Sequence, residues 1–215
     1  MRERHILFTI PCYGAIQAQT ALVAAAIARR SDVTFAPIAG SPIDHVRNSM
    51  VKMLLGSPDY THLLMVDSDV VPPGNIVDLL LECDSPLATG IVPICVQEAI
   101  VSNVIVGEGD QSHFLTKWDT EGEPFEVEGA GTGCVLVARE VFENVPWPWF
   151  RYVEGYAGGK VGEDIFFSRR AGEHGYRYVA HPKAVCDHYK MFPLLRLVKA
   201  CQAARGNALA TEEGH

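Results

Sequence analysis

Asp67-Ser68-Asp69 stands where the apolar run Leu63-Leu64-Met65-Val66 stops and Pro72-Pro73-Gly74 turns the chain. Such a run reads as a buried strand, and a strand ending in two carboxylates delivers negative charge to one edge of a sheet. Side chains alternate along a strand, so Asp67 and Asp69 face one way with Ser68 opposed. Two oxygens placed like this suit a hard divalent cation, Mg2+ or Mn2+, which fills its remaining positions with water and a substrate diphosphate. A nucleotide-linked substrate is the first expectation. The competing reading is that Asp69 caps the helix starting near Gly74 while Asp67 is solvated.

Other residues join this pair if the sheet is open and its ligand crevice lies beyond the carboxyl ends of the strands. Pro11 to Gly14 follow a first strand, and Tyr13 there can stack on a base or ribose, or serve as a core aromatic. Arg47 can pair with a phosphate, orient an aspartate, or be an exposed helix charge. Gly129-Ala130-Gly131-Thr132-Gly133 lacks the Gly-Lys-Ser/Thr ending of a phosphate loop. Gly131 and Gly133 would instead admit close approach of a sugar ring or another strand, with Thr132 offering a hydroxyl; a tight turn is the alternative. Glu163-Asp164 opens a helix, where both carboxylates gain from the positive helix end. The preceding stretch holds Gly155, Gly158, Gly159 and Gly162, so it reads as a loop able to close over a substrate and deliver Asp164 as a base. His188 is a further cation ligand candidate, better suited to Mn2+ than to Mg2+. Trp147, Trp149 and Tyr152 form either a sugar-stacking platform or packing beneath a loop.

These positions depend on the elements that carry them. Strands are expected over His5–Ile10, Val33–Pro37, Leu63–Val66 and Pro86–Val92. They alternate with helices over Ala15–Arg30, from Pro42 to Gly56, and over Ile76–Cys83. That alternation predicts an α/β fold with a mostly parallel central sheet flanked by helices on both faces. Residues 93 to 128 lose helical periodicity and read as a small antiparallel appendix built from Val101–Val106, Phe114–Trp118 and Pro124–Val127. A strand over Cys134–Ala138, a helical turn over Arg139–Asn144 and a helix over Glu163–His174 follow. Short strands over Tyr176–Val179 and Ala184–Cys186, a basic helix over Pro193–Arg205 and a frayed end complete the expectation.

The chain has 215 residues, enough for one core, and a formal charge of −8 that argues against broad nucleic-acid or acidic-membrane binding. No apolar stretch reaches the roughly 18 residues of a membrane span. No membrane insertion and a cytoplasmic location are therefore expected. The six cysteines are scattered with no Cys-x-x-Cys pair, which fits reduced thiols better than a zinc site.

Taken in order, Ile10-Pro11-Cys12-Tyr13, Asp67-Ser68-Asp69, Gly131-Thr132-Gly133-Cys134, Glu163-Asp164-Ile165-Phe166-Phe167 with Arg169-Arg170, and Asp187-His188 resemble a GT-A fold glycosyltransferase of the family-2-like, nucleotide-diphospho-sugar-dependent group. The resemblance spans residues 5 to 190 and implies a Rossmann-like catalytic domain over 1–205. It would comprise a nucleotide-binding half over 1–92 and an acceptor half over 93–190, with 206–215 a disordered tail. It further implies a UDP- or GDP-linked donor contacted by Pro11, Tyr13, Arg47, Asp67, Ser68 and Asp69. Mn2+ or Mg2+ would be held by Asp69 and His188 with Asp67 in support, and Gly131, Thr132, Gly133, Trp147 and Trp149 would face substrate. Asp164, with Glu163 beside it, would act on an acceptor hydroxyl and give inversion. The chain departs from the pattern in lacking a Gln-x-x-Arg-Trp signature and a base-binding aspartate in Val33–Gly40. The rivals are a nucleotide-sugar hydrolase or nucleotidyltransferase, and a non-catalytic carbohydrate- or nucleotide-binding module. Against the nucleotidyltransferase, the loop Cys12-Tyr13-Gly14-Ala15-Ile16 carries no basic residue.

Overall fold

The apolar runs build one seven-stranded sheet in the computed structural model, which describes residues 3–96, 99–107, 109–154, 160–191 and 202. In chain order its strands are β1 (Ile6–Thr9), β2 (Val33–Phe35), β3 (His62–Val66), β4 (Leu87–Ile91), β5 (Phe125–Val127), β6 (Cys134–Ala138) and β7 (Tyr178–Val185). Across the sheet they lie in the order β5-β7-β4-β6-β3-β1-β2.

Alternation along the strands divides the core in two. Leu7 of β1 and Leu63 and Met65 of β3 join one apolar cluster, whereas Ile6, Phe8, Leu64 and Val66 join the other. The first cluster is completed by α2 (Ile43–Gly56), α4 (Arg139–Asn144) and α5 (Glu163–Glu173), through residues such as Met50, Leu54, Phe142 and Phe167. The second is completed by α1 (Ala18–Ile27) and α3 (Ile76–Glu82), through Ala24, Ile27, Ile76 and Leu80. Covering both faces explains why β1 and β4 are buried at every position. Each fully buried aliphatic side chain contributes about 1.5–3 kcal/mol.

The sheet is mixed rather than mostly parallel. β1 runs parallel to β2 and β3, and β7 parallel to β4. β6 lies antiparallel between β3 and β4, and β5 is antiparallel to β7. The βαβ alternation of the first ninety residues fixes direction only for the strands it connects. The path from β4 to β6 has no covering helix; it runs through short antiparallel pairs and leaves β6 free to enter reversed. Those pairs, Pro93–Val96 with Ala99–Ser102 and Val104–Val106 with His113–Phe114 and Gly129–Ala130, form an antiparallel appendix in the expected region but with other members: Val101–Val106 is interrupted at Asn103, Phe114–Trp118 shrinks to His113–Phe114, and the expected Pro124–Val127 strand joins the main sheet as β5. Reversal has a functional consequence, because β6 begins at the edge where β1, β3 and β4 end.

Three other expectations change. α1 starts at Ala18 instead of Ala15, because Gln17 donates its backbone N–H to the Ser68 carbonyl (2.8 Å) and ties the helix entrance to the acidic triplet. Tyr178–Val185 is one strand, with a register shift between Ala180 and Val185 that accommodates Pro182, which has no N–H to donate. The first strand, expected over His5–Ile10, spans Ile6–Thr9, and beyond it Pro11–Cys12 pairs with Ile38–Ala39 in a parallel extension. The basic helix over Pro193–Arg205 and the tail from 206 lie outside the described residues, Gln202 excepted. Among the described residues no helix is long and apolar enough to cross a membrane.

Candidate active site

Arg47 is the centre about which the acidic residues assemble. It projects from α2, is 4% exposed, and donates Nη2 to Asp67 Oδ1 (2.7 Å) and Nη1 to Glu163 Oε1. One guanidinium thus joins α2, the end of β3 and the start of α5. Burial opposes its charge, but Asp67, Glu163 and Asp164 more than offset burial and hold its pKa above the usual arginine value. Glu163 is also buried; burial and the neighbouring Asp164 raise its pKa, while Arg47 works the other way. The phenol of Tyr152 is pushed up to about 12 by burial and by the Glu163 carboxylate.

Asp67 sits where β3 stops, and its N–H donates to the Gly133 carbonyl (2.9 Å) of the incoming β6. The segment before β6 is clamped from both sides. Asn103 accepts the Val92 N–H on Oδ1 (2.8 Å), donates Nδ2 to the Gly131 carbonyl (3.0 Å), and takes the Gly131 N–H on its own carbonyl (2.9 Å). Ser168 of α5 exchanges hydrogen bonds with both backbone groups of Ala130. What the glycines approach is Asp164. A Cβ on Gly131 would lie 3.1 Å from Asp164 Oδ2, and one on Gly162 would lie 2.6 Å from Asp164 Oδ1. Asp164 also accepts the Ile165 N–H (2.8 Å), a local bond that leaves the carboxylate acceptor capacity to spare. Thr132 is buried, and its hydroxyl has no hydrogen-bond partner among the described residues.

His188 reaches the triplet through a short antiparallel bridge, in which Val70–Val71 pairs with Asp187–His188. The Tyr189 N–H donates to the Asp69 carbonyl (2.9 Å) and fixes the approach. His188 Nδ1 lies 2.7 Å from the Pro93 carbonyl, which assigns the proton to Nδ1 and turns Nε2 toward Asp69 Oδ2 at 3.4 Å. The same oxygen takes Lys190 Nζ at 2.6 Å. His188, and after it Lys190, hold the Asp69 carboxyl down at about 2 against burial, while Asp69 raises the His188 pKa.

A ring nitrogen held by a backbone carbonyl and a carboxylate oxygen, 3.4 Å apart, are the oriented pair that a metal-ligating histidine and its partner present. Among the described residues no three histidine, cysteine or carboxylate side chains converge as a cage. The Asp69 and His188 pair on its own suits an ion of the Mg2+ or Mn2+ kind, which takes few protein ligands and completes its shell with water and phosphate.

The crevice over these groups has a volume of about 460 Å3 and is lined by Pro11, Cys12, Tyr13, Gly40, Ser41, Ile43, Arg47, Asp67, Ser68, Asp69, Glu163 and Asp164. A smaller hollow of about 150 Å3 shares Asp67 and Asp164 with it and adds His188, Gly131 and Gly133 to apolar walls such as Val92, Ile94 and Phe114. Tyr13 is 84% exposed at the crevice, free to lie against a planar ring. A larger hollow of about 700 Å3 beside Glu3, Arg4, Asp32 and Asp59 lies at the opposite end, where β1 and β3 begin.

The two tryptophans part company. Trp147 is 64% exposed, but Trp149 is 7% exposed and its Nε1 donates to the Phe142 and Val145 carbonyls, so its ring belongs to the core. Asn48, next to Arg47, holds this segment by accepting the Trp149 and Phe150 N–H groups and donating to the Phe150 carbonyl. The expected loop over Gly155, Gly158 and Gly159 lies outside the described residues. Sequence reasoning missed Asn48, Asn103, Ser168 and Lys190. For Lys190 the one available signal was its place two residues after His188.

Neither a family model nor a curated protein matches the sequence. Solved structures do match the fold. "Crystal Structure of A197 from STIV" aligns with a TM-score of 0.62 at 21% identity, over 87% of this chain and 86% of that one. "Crystal structure of GalNAc-T7 with UDP, GalNAc and Mn2+" aligns with a TM-score of 0.60 at 11% identity, over 87% of this chain and 43% of that one. The fold is thus shared with a GT-A glycosyltransferase, and at these identities the likeness speaks for fold alone.

Proposed function

We propose that the protein is a glycosyltransferase that moves a sugar from a nucleoside-diphospho-sugar, UDP- or GDP-linked, to a hydroxyl acceptor, with Mn2+ or Mg2+ as cofactor. The observation that carries the reading is the meeting of Asp67, Asp69, His188 and Asp164 around two adjoining hollows at the carboxyl edge of the sheet, which share Asp67 and Asp164, with His188 Nε2 3.4 Å from Asp69 Oδ2. A fold shared with GalNAc-T7 supports it.

In this reading Tyr13 and the edge formed by Pro11, Gly40 and Ser41 receive the nucleoside. Asp69 and His188 would hold the cation, whose charge would offset that of the diphosphate leaving group. Asp67, fixed by Arg47, supports the ribose side. Asp164 Oδ2 accepts the proton of the acceptor hydroxyl as that oxygen attacks the anomeric carbon, and inversion follows from attack opposite the leaving group. Gly131 and Gly162 leave the carboxylate unobstructed at close range. Glu163, engaged by Arg47, is a positioning residue. Trp147 and Tyr152 are candidates for the acceptor side, and Trp149 supports the segment that carries them.

Asp164→Asn separates this reading from its rivals. The expected result is a loss of transfer of at least about 100-fold with nucleotide binding retained, measured by product formation and by thermal shift with UDP or GDP plus Mn2+. Undiminished turnover in Asp164→Asn overturns the assignment of the base. Absence of any cation-dependent nucleotide shift in the wild type overturns the donor site.

A further inference from the structure

Lys190 stands in a position that nothing in the reaction chemistry accounts for. Its ammonium lies 2.6 Å from Asp69 Oδ2, the carboxylate oxygen that also faces His188 Nε2. The side chain is 51% exposed and reaches in from solvent, unlike the buried Arg47. Among the described residues the ion pairs to the crevice carboxylates come from Arg47, His188 and Lys190. Arg47 already spends Nη1 on Glu163 and Nη2 on Asp67, whereas the Lys190 ammonium pairs with Asp69 alone.

The charge balance makes this contact consequential. The crevice is lined by Asp67, Asp69, Glu163 and Asp164 against the one guanidinium of Arg47. A nucleoside diphosphate brings further negative charge to the same place, and like charges at close range repel strongly where water is partly excluded. A divalent cation at Asp69 and His188 offsets part of that charge, but it needs the oxygen that Lys190 occupies.

We infer that Lys190 is an exchangeable counter-ion: it neutralises Asp69 in the empty site, yields that oxygen to the divalent cation, and then pairs with the donor diphosphate. This rests on the metal-dependent donor site proposed above and adds a residue to it. Exchange makes cation and nucleotide binding mutually reinforcing, since the ammonium that the first displaces is the one the second recruits. A lysine suits the task because its charge sits on a long flexible stem and swings between partners at little cost.

The test is Lys190→Met, which keeps the stem and removes the charge. Free Mn2+ is measured by electron paramagnetic resonance during titration of the wild type, Lys190→Met and Asp69→Ala, first without nucleotide and then with UDP or GDP. The inference expects Mn2+ alone to bind Lys190→Met about two- to fivefold more tightly than the wild type, the size of a partly exposed ion pair. It also expects nucleotide at saturating Mn2+ to bind the variant about tenfold more weakly. Mn2+ binding to the variant alone, with none to the wild type, supports it too. Mn2+ binding that is lost in Asp69→Ala but equal in the wild type and Lys190→Met overturns the role of Lys190 and leaves the donor site standing. Absence of Mn2+ binding in all three proteins overturns both.

Discussion

Replacing Arg47 with methionine tests whether the acidic site is held together by a single buried cation. The Glu163 side chain is 7% exposed and that of Asp67 is 30% exposed, so loss of the guanidinium strands Glu163 without water while Asp67 rehydrates in part. Removing one member of a buried pair costs about 3–5 kcal/mol, chiefly from the charge left behind. Glu163→Gln alone costs about 1–2 kcal/mol, because Arg47 keeps Asp67. The double variant lacks both the stranded charge and its partner. It should be more stable than Arg47→Met alone, with a coupling energy of about 2–3 kcal/mol. Urea unfolding followed by far-ultraviolet circular dichroism measures all four proteins. Acid should rescue Arg47→Met selectively. Burial already raises the Glu163 pKa, and loss of Arg47 raises it further. A carboxyl whose folded pKa exceeds its unfolded value contributes stability below the unfolded pKa and loses it as pH rises to the folded one. The deficit should therefore be larger at pH 8 than near pH 5. A deficit under about 1 kcal/mol, one independent of pH, or strict additivity in the double variant refutes the reasoning.

Gly131→Ala places a Cβ 3.1 Å from Asp164 Oδ2 and 3.4 Å from Asn103 Cβ; if the proposed function holds, it should lower turnover about tenfold by displacing Asp164 while leaving nucleotide affinity in the presence of Mn2+ unchanged, as a kcat against Kd comparison will report. Arg139→Ala removes a guanidinium that donates to the carbonyls of Leu54, Leu55 and Ser57 at the end of α2. Those groups have few other partners there, so the expected loss is about 3 kcal/mol in chemical denaturation. His62 opens β3 with its pKa lowered by burial to about 4 from 6.5. The unfolded chain binds that proton more readily, so stability should decline between pH 6.5 and pH 4 by up to about 3 kcal/mol. His62→Gln should flatten that part of the stability profile.

How much of this was legible in the sequence depended on whether local pattern or long-range pairing decided the outcome. The end of β3 could be read because Leu63–Val66 is apolar without interruption and Pro72 forbids its continuation. The carboxylates therefore had to fall at a sheet edge. The direction of β6 could not be read, since a five-residue apolar strand is equally good in either sense. Only its pairing with β3, Cys134 opposite Val66, makes it antiparallel. Nor could Pro146-Trp147-Pro148-Trp149 reveal which indole is buried. That is decided by Asn48, 101 residues away, which takes the Trp149 N–H and turns the ring toward Phe142. The partnership of Arg47 with Glu163 spans 116 residues and leaves no trace in spacing. What the local pattern supplied was a set of chemically able residues, and what the fold supplied was their convergence.

The reversed strand also explains how so acidic a cleft is compatible with a stable fold. Had β6 run parallel to its neighbours, its glycine-rich start would lie at the far edge, and α5 would lack the Ala130 backbone that Ser168 now binds. The antiparallel entry brings the glycine segment, the β3 terminus and the α5 amino end together within hydrogen-bonding range. That is the arrangement in which Arg47 can satisfy two carboxylates at once. Helix α5 adds its positive end beneath Glu163 and Asp164, so part of their charge is met by backbone rather than by side chains. Glu163, buried against Arg47, is committed to structure, while Asp67 spends one oxygen on Arg47 and stays partly exposed to the crevice. Asp69 and Asp164, whose partners are an exposed lysine, one histidine and one local N–H, retain the acceptor capacity that cation binding and proton transfer require. Division of labour among four acidic residues thus follows from which of them the buried Arg47 guanidinium reaches.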